Sequence, residues 1–498
     1  MNISVGGAMR PGLRKGTRIA VLGAGAAGLA MGYKLKAAGF ENFTIFEKDD
    51  AVGGTWKRHN YPGLCCDVHS HIYSYSFDPN PYWSSTFPRR DELLAYFSGF
   101  ADKHGLMPYV RLRTAVTKAD YNEGEGTWTL TFDGRDDTET FDYLIAATGF
   151  YNDISIPEIP GRERFKGIAF HSSEWPEGID LKGKRVGMVG TAAAAVQIAP
   201  AIHPDVAQLT IFQRTPSWIV PRDNHIYTAE QQRAFADSND AWLQHRDELY
   251  DFNRWYLASV TGDREKLEEL RSTCLSFLEQ EVSDPELRAK LTPDYEPGCK
   301  RLLVTSDYYS TLIQPNVSLV AEAIAQVDET GIVTADGAHS DLDVLIWCTG
   351  YKMPNYHGPV LTTGVGGKTL QDAWPEIPEA FRSTAVPGFP NYFMVNGPNG
   401  IFGHSSAIDS AEISSDYIVR LIEAAEAAAV KAIDVKPEAL REFNNEVAEY
   451  FKGTTFAGNC TGFYHDEKNR VWFFYPGDHD SMVRDLTSST LEDFELQR

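Results

Sequence analysis

The chain has 498 residues, 43% hydrophobic and 12% aromatic, enough to bury a large core and to build two or three domains. A formal net charge of -23 repels phosphate backbones and anionic bilayers, so neither nucleic acid nor a membrane surface is expected as a partner, and the charge reads as a solubility device. Residues 1–18 hold no apolar stretch of the secretory type and no apolar run reaches membrane-spanning length. The six scattered cysteines form no CxxC pair and no metal spacing, so a cytoplasmic protein with no metal site is expected. The adjacent Cys65 and Cys66 read as two ordinary thiols, because a bond between neighbours is strained.

In chain order, the first pattern is an apolar strand at residues 18–22, a glycine-rich turn, and a helix of small residues. The same grammar returns at residues 184–189 and Gly190. Two further buried strands, at 143–147 and 344–348, each run into a Thr-Gly turn, at Thr148-Gly149 and Thr349-Gly350. The expected fold class is therefore α/β, with two Rossmann-like dinucleotide-binding domains and the second copy inserted in the first. Residues 228–290, charged and poor in Gly and Pro, read as a helical insertion. The expected division is 1–150 with 385–498 for the first dinucleotide-binding unit, 151–225 with 295–384 for the second, and 226–294 for the insertion. A long helix is expected at 406–433, followed from Gly453 by an aromatic tail that covers a site.

The first turn reads Gly23-Ala24-Gly25-Ala26-Ala27-Gly28 and follows a strand. Its glycines let the backbone approach a pyrophosphate whose charge faces the helix N-terminus. Glu47 ends the next strand about twenty residues on, where an acid accepts hydrogen bonds from the adenosine ribose. A bare tight turn would lack this combination of strand, turn, helix and acid.

The second turn departs from the pattern, reading Gly190-Thr191-Ala192-Ala193-Ala194-Ala195 before Gln197. Ala192 replaces the middle glycine, and its methyl is expected to crowd a phosphate by roughly 1–3 kcal/mol if the backbone does not shift. The strand that follows ends in Gln213-Arg214-Thr215 with no acid. Arg214 and Thr215 suit a 2′-phosphate, so NADPH is expected over NADH. Two dinucleotide sites in one chain imply electron transfer from nicotinamide to flavin.

Between the two units, Phe165, Gly167, His171, Trp175 and Pro176 complete an F-x-G-x-x-x-H-x-x-x-W-P pattern. Earlier, Gly53-Gly54-Thr55-Trp56, Tyr61-Pro62-Gly63 and Asp67 complete G-G-x-W-x-x-x-x-Y-P-G-x-x-x-D. Both patterns, in this order and context, resemble the signatures of type I Baeyer–Villiger monooxygenases, and the resemblance runs from about Arg18 to the C-terminus. It implies FAD and NADPH as cofactors. It implies conversion of a ketone to an ester or lactone by O2, through a flavin C4a-peroxide and a tetrahedral Criegee adduct. It places the essential arginine at Arg301, its positioning carboxylate at Asp67, and an NADPH 2′-phosphate ligand at Lys300. Gly54, Thr55, Trp56, Tyr73 and Val116 fall on flavin contacts. His171 falls on a linker residue that couples domain motion to catalysis, and Trp175 reads as packing. Phe463 is the nearest match to a tryptophan that closes over the nicotinamide. From composition alone, Lys300-Arg301 would be a solvated basic pair. Two other readings stand beside this one: an N- or S-oxidising flavin monooxygenase, and a flavoprotein-like fold that binds proteins without turnover.

Overall fold

The computed structural model describes residues 16–352, 358, 360–458, 460, 462–466 and 468–498. Most of the N-terminal stretch read as lacking a leader lies outside the described residues.

The first sheet has five parallel strands in the order Tyr392–Met394, Tyr143–Ala146, Ile19–Leu22, Phe43–Phe46 and Val110–Arg111. Its central strand, Ile19–Leu22, is buried along its whole length, as a parallel strand covered on both faces must be. The second sheet repeats the plan with Val317–Val320, Gln208–Phe212, Arg185–Val189, Val344–Trp347 and Ile168–His171, all parallel. Each unit also carries an antiparallel meander. In the first it is Val116–Asn122, Thr127–Phe132 and Thr138–Phe141; in the second it is Ile324–Val327, Gly331–Thr334 and His339–Asp341. The α/β class with two Rossmann-type units is thus the observed architecture.

Two details differ from the sequence reading. Leu361–Thr363 pairs in parallel with Val116–Asn122, so the chain has rejoined the first unit well before residue 385. The long helix runs Ala407–Ala427 and stops before 433. Ala429 adopts a left-handed φ of 52°, and Ala432–Val435 then pairs antiparallel with Phe494–Gln497. Pairing with a distant strand overrides the helix propensity of an alanine-rich segment.

Residues 229–291 form four helices, Ala229–Asp237, Asn239–Val260, Arg264–Glu281 and Pro285–Leu291. The second of these is fastened to the first unit through buried charge. Arg246 Nη2 lies 3.0 Å from Asp409 Oδ1, and the Tyr250 hydroxyl donates to the same carboxylate. Glu412, one turn along, is pushed up to about 7 by burial and by neighbouring Asp409. A lone buried charge is costly, so this network fixes where the insertion sits.

The turns that open the two units have the same physical basis. Gly23 has φ +101° and a Cβ there would lie 2.6 Å from the Ala147 carbonyl; Gly190 has φ +107° and a Cβ would lie 2.3 Å from the Cys348 carbonyl. Each glycine therefore lets a turn pass beneath the end of the neighbouring strand.

Gly23→Ala combines an unfavourable left-handed backbone, at about 1–2 kcal/mol, with that carbonyl clash. The variant should melt lower and retain less flavin than the parent. Gly134, at φ +65° with open space around it, is the control: Gly134→Asn should leave flavin content unchanged. Equal flavin retention in both variants would contradict this account of the turn.

Candidate active site

Both glycine turns open onto one cavity of about 1470 Å³. Gly23, Gly25, Glu47, Gly54, Thr55, Trp56, Tyr73 and Val116 of the first unit line it, as do Gly190, Thr191, Ala192, Gln197, Arg214 and Thr215 of the second, together with Asp67, His171, Lys300 and Arg301. Residues far apart in sequence therefore converge where the two units meet.

The geometry at the first turn suits a dinucleotide. A Cβ on Gly54 would lie 2.8 Å from Gly25 Cα, so the Gly53-Gly54 segment packs against the turn with no room for a side chain. Gly28 sits under the turn, where a Cβ would lie 1.8 Å from the Gly23 carbonyl. Glu47 is buried and braces the same turn, accepting from Ala24 N at 2.8 Å and from Asp49 N at 2.9 Å. Each oxygen keeps lone pairs for ribose hydroxyls. Trp56 is buried and meets Tyr73 edge-on at 5.6 Å. Val116, also buried, is the first residue of its meander strand.

The second turn is tied to the next strand end by Thr191 Oγ1, which donates to Thr215 O at 3.1 Å. Ala192 is exposed to the cavity. Lys300 Nζ lies 4.8 Å from the Tyr295 ring centroid. Tyr295 is itself anchored beside Arg214: its hydroxyl donates to Pro216 O at 2.9 Å, and its carbonyl accepts from Trp218 Nε1 at 2.7 Å. Burial, and then the charge of Arg214, push the Lys300 ammonium below the ordinary lysine range. Two cations that feel each other's charge on a cavity wall have the chemistry that suits a dianionic phosphate.

Arg301 Nε donates to Asp67 Oδ2 at 2.9 Å across 234 residues of sequence. The pair keeps 29% and 27% of its side-chain surface exposed. Burial works against the guanidinium charge, but Asp67 outweighs it and raises the Arg301 pKa further above its ordinary value. The contact uses Nε, so both amino groups remain available to a second partner. Tyr464 faces the same arginine, and burial pushes its phenol up to about 12 against the opposing pull of Arg301.

Some predicted residues stand at the seam between units. The Gln197 amide accepts from the Tyr61 hydroxyl at 3.2 Å and donates to Cys65 O at 3.1 Å, so besides lining the cavity it joins the second unit to the Tyr61-Pro62-Gly63 loop. His171 closes the edge strand Ile168–His171 and is buried. Its Nδ1 accepts from Ser173 N at 3.2 Å, which places the proton on Nε2. Burial lowers its pKa, so the ring is neutral. Gly167 lets that strand run close to Asp343, whose carbonyl would lie 2.5 Å from a Cβ, with the Phe165 ring beside it. Trp175 packs edge-on against Phe170 at 5.1 Å and accepts at its carbonyl from Asn60 of the first unit; Pro176 follows, half-buried.

Sequence reasoning missed Tyr351. Its hydroxyl lies 2.9 Å from His59 Nε2, and its ring contacts His171 at 5.8 Å and Tyr151 at 4.9 Å. Phe463 lies 6.3 Å from Tyr151 and 5.5 Å from Phe473, so the tail does reach the cavity. Tyr351 directly follows the Thr349-Gly350 turn, a position that could have flagged it as cavity-facing.

The cysteines include a pairing that the sequence did not signal, while Cys65 and Cys66 are separate thiols as expected. Cys65, Cys66, Cys274 and Cys348 are free, whereas Cys299 and Cys460 are joined by a disulfide. The pair, 161 residues apart, has no local spacing signal because the fold alone brings it together.

Residues 16–230 match the flavin-binding monooxygenase-like family. A Baeyer–Villiger monooxygenase of Streptomyces coelicolor is 36% identical over 97% of this chain and 93% of its own. Cyclohexanone monooxygenase from Rhodococcus sp. Phi1 bound to NADP+ superposes with a TM-score of 0.86 at 29% identity, over 96% of this chain and 99% of the other. The OTEMO complex with FAD and NADP gives 0.84 at 27% identity, over 97% and 99%. With two glycine cradles and the Arg301–Asp67 pair on one cavity, and a full-length relative at this identity, the chain belongs to the type I Baeyer–Villiger monooxygenases, within the flavin-binding monooxygenases.

Proposed function

We propose that this protein is an FAD-containing, NADPH- and O2-dependent monooxygenase that converts ketones to esters or lactones, with sulfides as secondary substrates. The observation that carries the reading is the Arg301–Asp67 pair on the cavity that both glycine turns line. The first unit, with its return segment, would hold FAD, and the second would hold NADPH. No helix among the described residues is long and apolar enough to cross a membrane, and we assign the protein to the cytoplasm, where NADPH is supplied.

The residues present fit both cofactors. The Gly23–Gly28 turn and Glu47 match a pyrophosphate and a ribose diol, and Arg214, Thr215 and Lys300 match a 2′-phosphate. When bound, the flavin and nicotinamide supply hydride transfer and the activation of dioxygen. The chain supplies position and charge. Arg301 stays cationic at every working pH, so it stabilises negative charge that develops beside it as the ketone carbonyl becomes an oxyanion. Asp67 holds Nε and so sets where the amino groups point. His171, neutral and bonded through Nδ1 to Ser173, positions the linker and moves no proton. Gln197, Tyr61 and the His59–Tyr351 bond keep the two units in register.

Arg301→Ala should still bind FAD and accept electrons from NADPH but lose ester formation about 100-fold or more. Undiminished ester yield in a product assay with cyclic and aryl ketones would remove Arg301 from the mechanism. Arg214→Ala should raise the KM for NADPH and leave that for NADH nearly unchanged, since only the 2′-phosphate distinguishes them. Equal losses with both coenzymes would assign Arg214 another role.

Lys300 generates a pH prediction. Its folded pKa is lowered, and the charged form is the one that binds phosphate, so affinity is present below that pKa and lost as pH rises through it. The KM for NADPH should climb on the alkaline side before the ordinary lysine range, and Lys300→Arg should flatten that limb. An unchanged alkaline limb in Lys300→Arg would contradict the assignment.

A further inference from the structure

The Cys299–Cys460 disulfide joins two walls of the active-site cavity. Cys299 immediately precedes Lys300 and Arg301, and Cys460 lies just before Gly462 and Phe463. The bond therefore links the loop that carries Lys300 and Arg301 to the tail segment that reaches the cavity through Phe463 and Tyr464. The surrounding contact is close: a Cβ on Gly458 would lie 3.1 Å from Cys299 Sγ, and one on Gly462 would lie 3.8 Å from Lys300 Cγ.

His465 stands beside this bond. A ring nitrogen of His465 and both sulfurs lie within 4.8 Å of one another. Its Nε2 is 2.5 Å from the Phe456 carbonyl. A carbonyl only accepts, so Nε2 carries the proton and Nδ1 holds a bare lone pair. That Nδ1 is buried and has no hydrogen-bond partner among the described residues. A buried acceptor without a donor is unfavourable. The disulfide has no S–H to offer it, whereas the reduced pair would. The orphan nitrogen is thus explained by a dithiol state of the same two cysteines, in which it takes a thiol proton.

We infer that Cys299 and Cys460 form a reversible oxidative modification site, with His465 as the base, and that its state decides whether the tail is pinned to the Arg301 loop. The oxidant is a hydroperoxide. With hydrogen peroxide, one thiol passes its proton to His465 and the thiolate attacks the O–O bond; a sulfenic acid forms and water leaves with that proton. The second thiol displaces water from the sulfenic acid and closes the S–S bond. Overall, two thiols and one peroxide give one disulfide and two waters, with two electrons passing from sulfur to oxygen. A dithiol reductant reverses it. The inference rests on the reading that Lys300 faces the NADPH phosphate, since a pinned loop then retains the nucleotide.

The test compares the full-length holoenzyme after dithiothreitol with the same enzyme after stoichiometric hydrogen peroxide. Each sample is acid-quenched, alkylated under denaturing conditions and mapped by peptide mass, and each is titrated with NADP+ by flavin absorbance. Peroxide should yield the Cys299–Cys460 cross-linked peptide, and dithiothreitol should yield both cysteines alkylated. The oxidised form should bind NADP+ about fivefold or more tightly, within the usual range for coupled sites. Cys460→Ser should abolish that difference, and His465→Gln should slow cross-linking while leaving its final extent unchanged. Absence of the cross-link after peroxide, equal NADP+ affinity in the two states, or a difference that persists in Cys460→Ser would overturn the inference. Neither readout needs ketone turnover, so a protein that cross-links and shifts NADP+ affinity yet makes no ester would count against the proposed reaction alone.

Discussion

Everything in the site depends on the ion pair between Arg301 and Asp67. A guanidinium placed in a cleft is held there only if a carboxylate compensates for lost water, and here that carboxylate comes from the other unit, 234 residues away. The pair therefore does two things with one contact. It keeps a permanent cation on the cavity that both glycine turns open onto, and it makes the position of that cation a function of how the two units meet.

The seam around the pair is built for the same purpose. Gln197 bonds to the Tyr61 and Cys65 loop, Asn60 reaches the Trp175 carbonyl, and Tyr351 bridges His59 and His171. These polar bonds and ring contacts join the two units around the cavity, beside an apolar core that Trp218, Val220 and Leu302 share with the first unit. The buried Arg246–Asp409 pair locks the helical insertion to the first unit.

The parts legible in the sequence were the local ones. Gly23 and Gly190 announce themselves because a turn under a strand end tolerates no Cβ, and Glu47 and Arg214 stand at strand ends that any reader of the pattern would inspect. Arg301 was different: its neighbours make it look like a surface charge, and only the resemblance singled it out. The partners of Gln197 and His59 were not legible, because bonds between units leave no periodicity in either. The Cys299–Cys460 pair and the helix end at Ala427 were missed for the same reason, each being set by a contact from far along the chain.

The most direct test of this account is the yield of ester per NADPH consumed in Asp67→Ala, measured on enzyme with full FAD content. If Asp67 holds Arg301 where oxygenation needs it, NADPH should still be oxidised while ester yield per NADPH falls steeply. A variant that loads FAD, consumes NADPH and still makes ester in the parent's ratio would show that the ion pair is not what organises the chemistry.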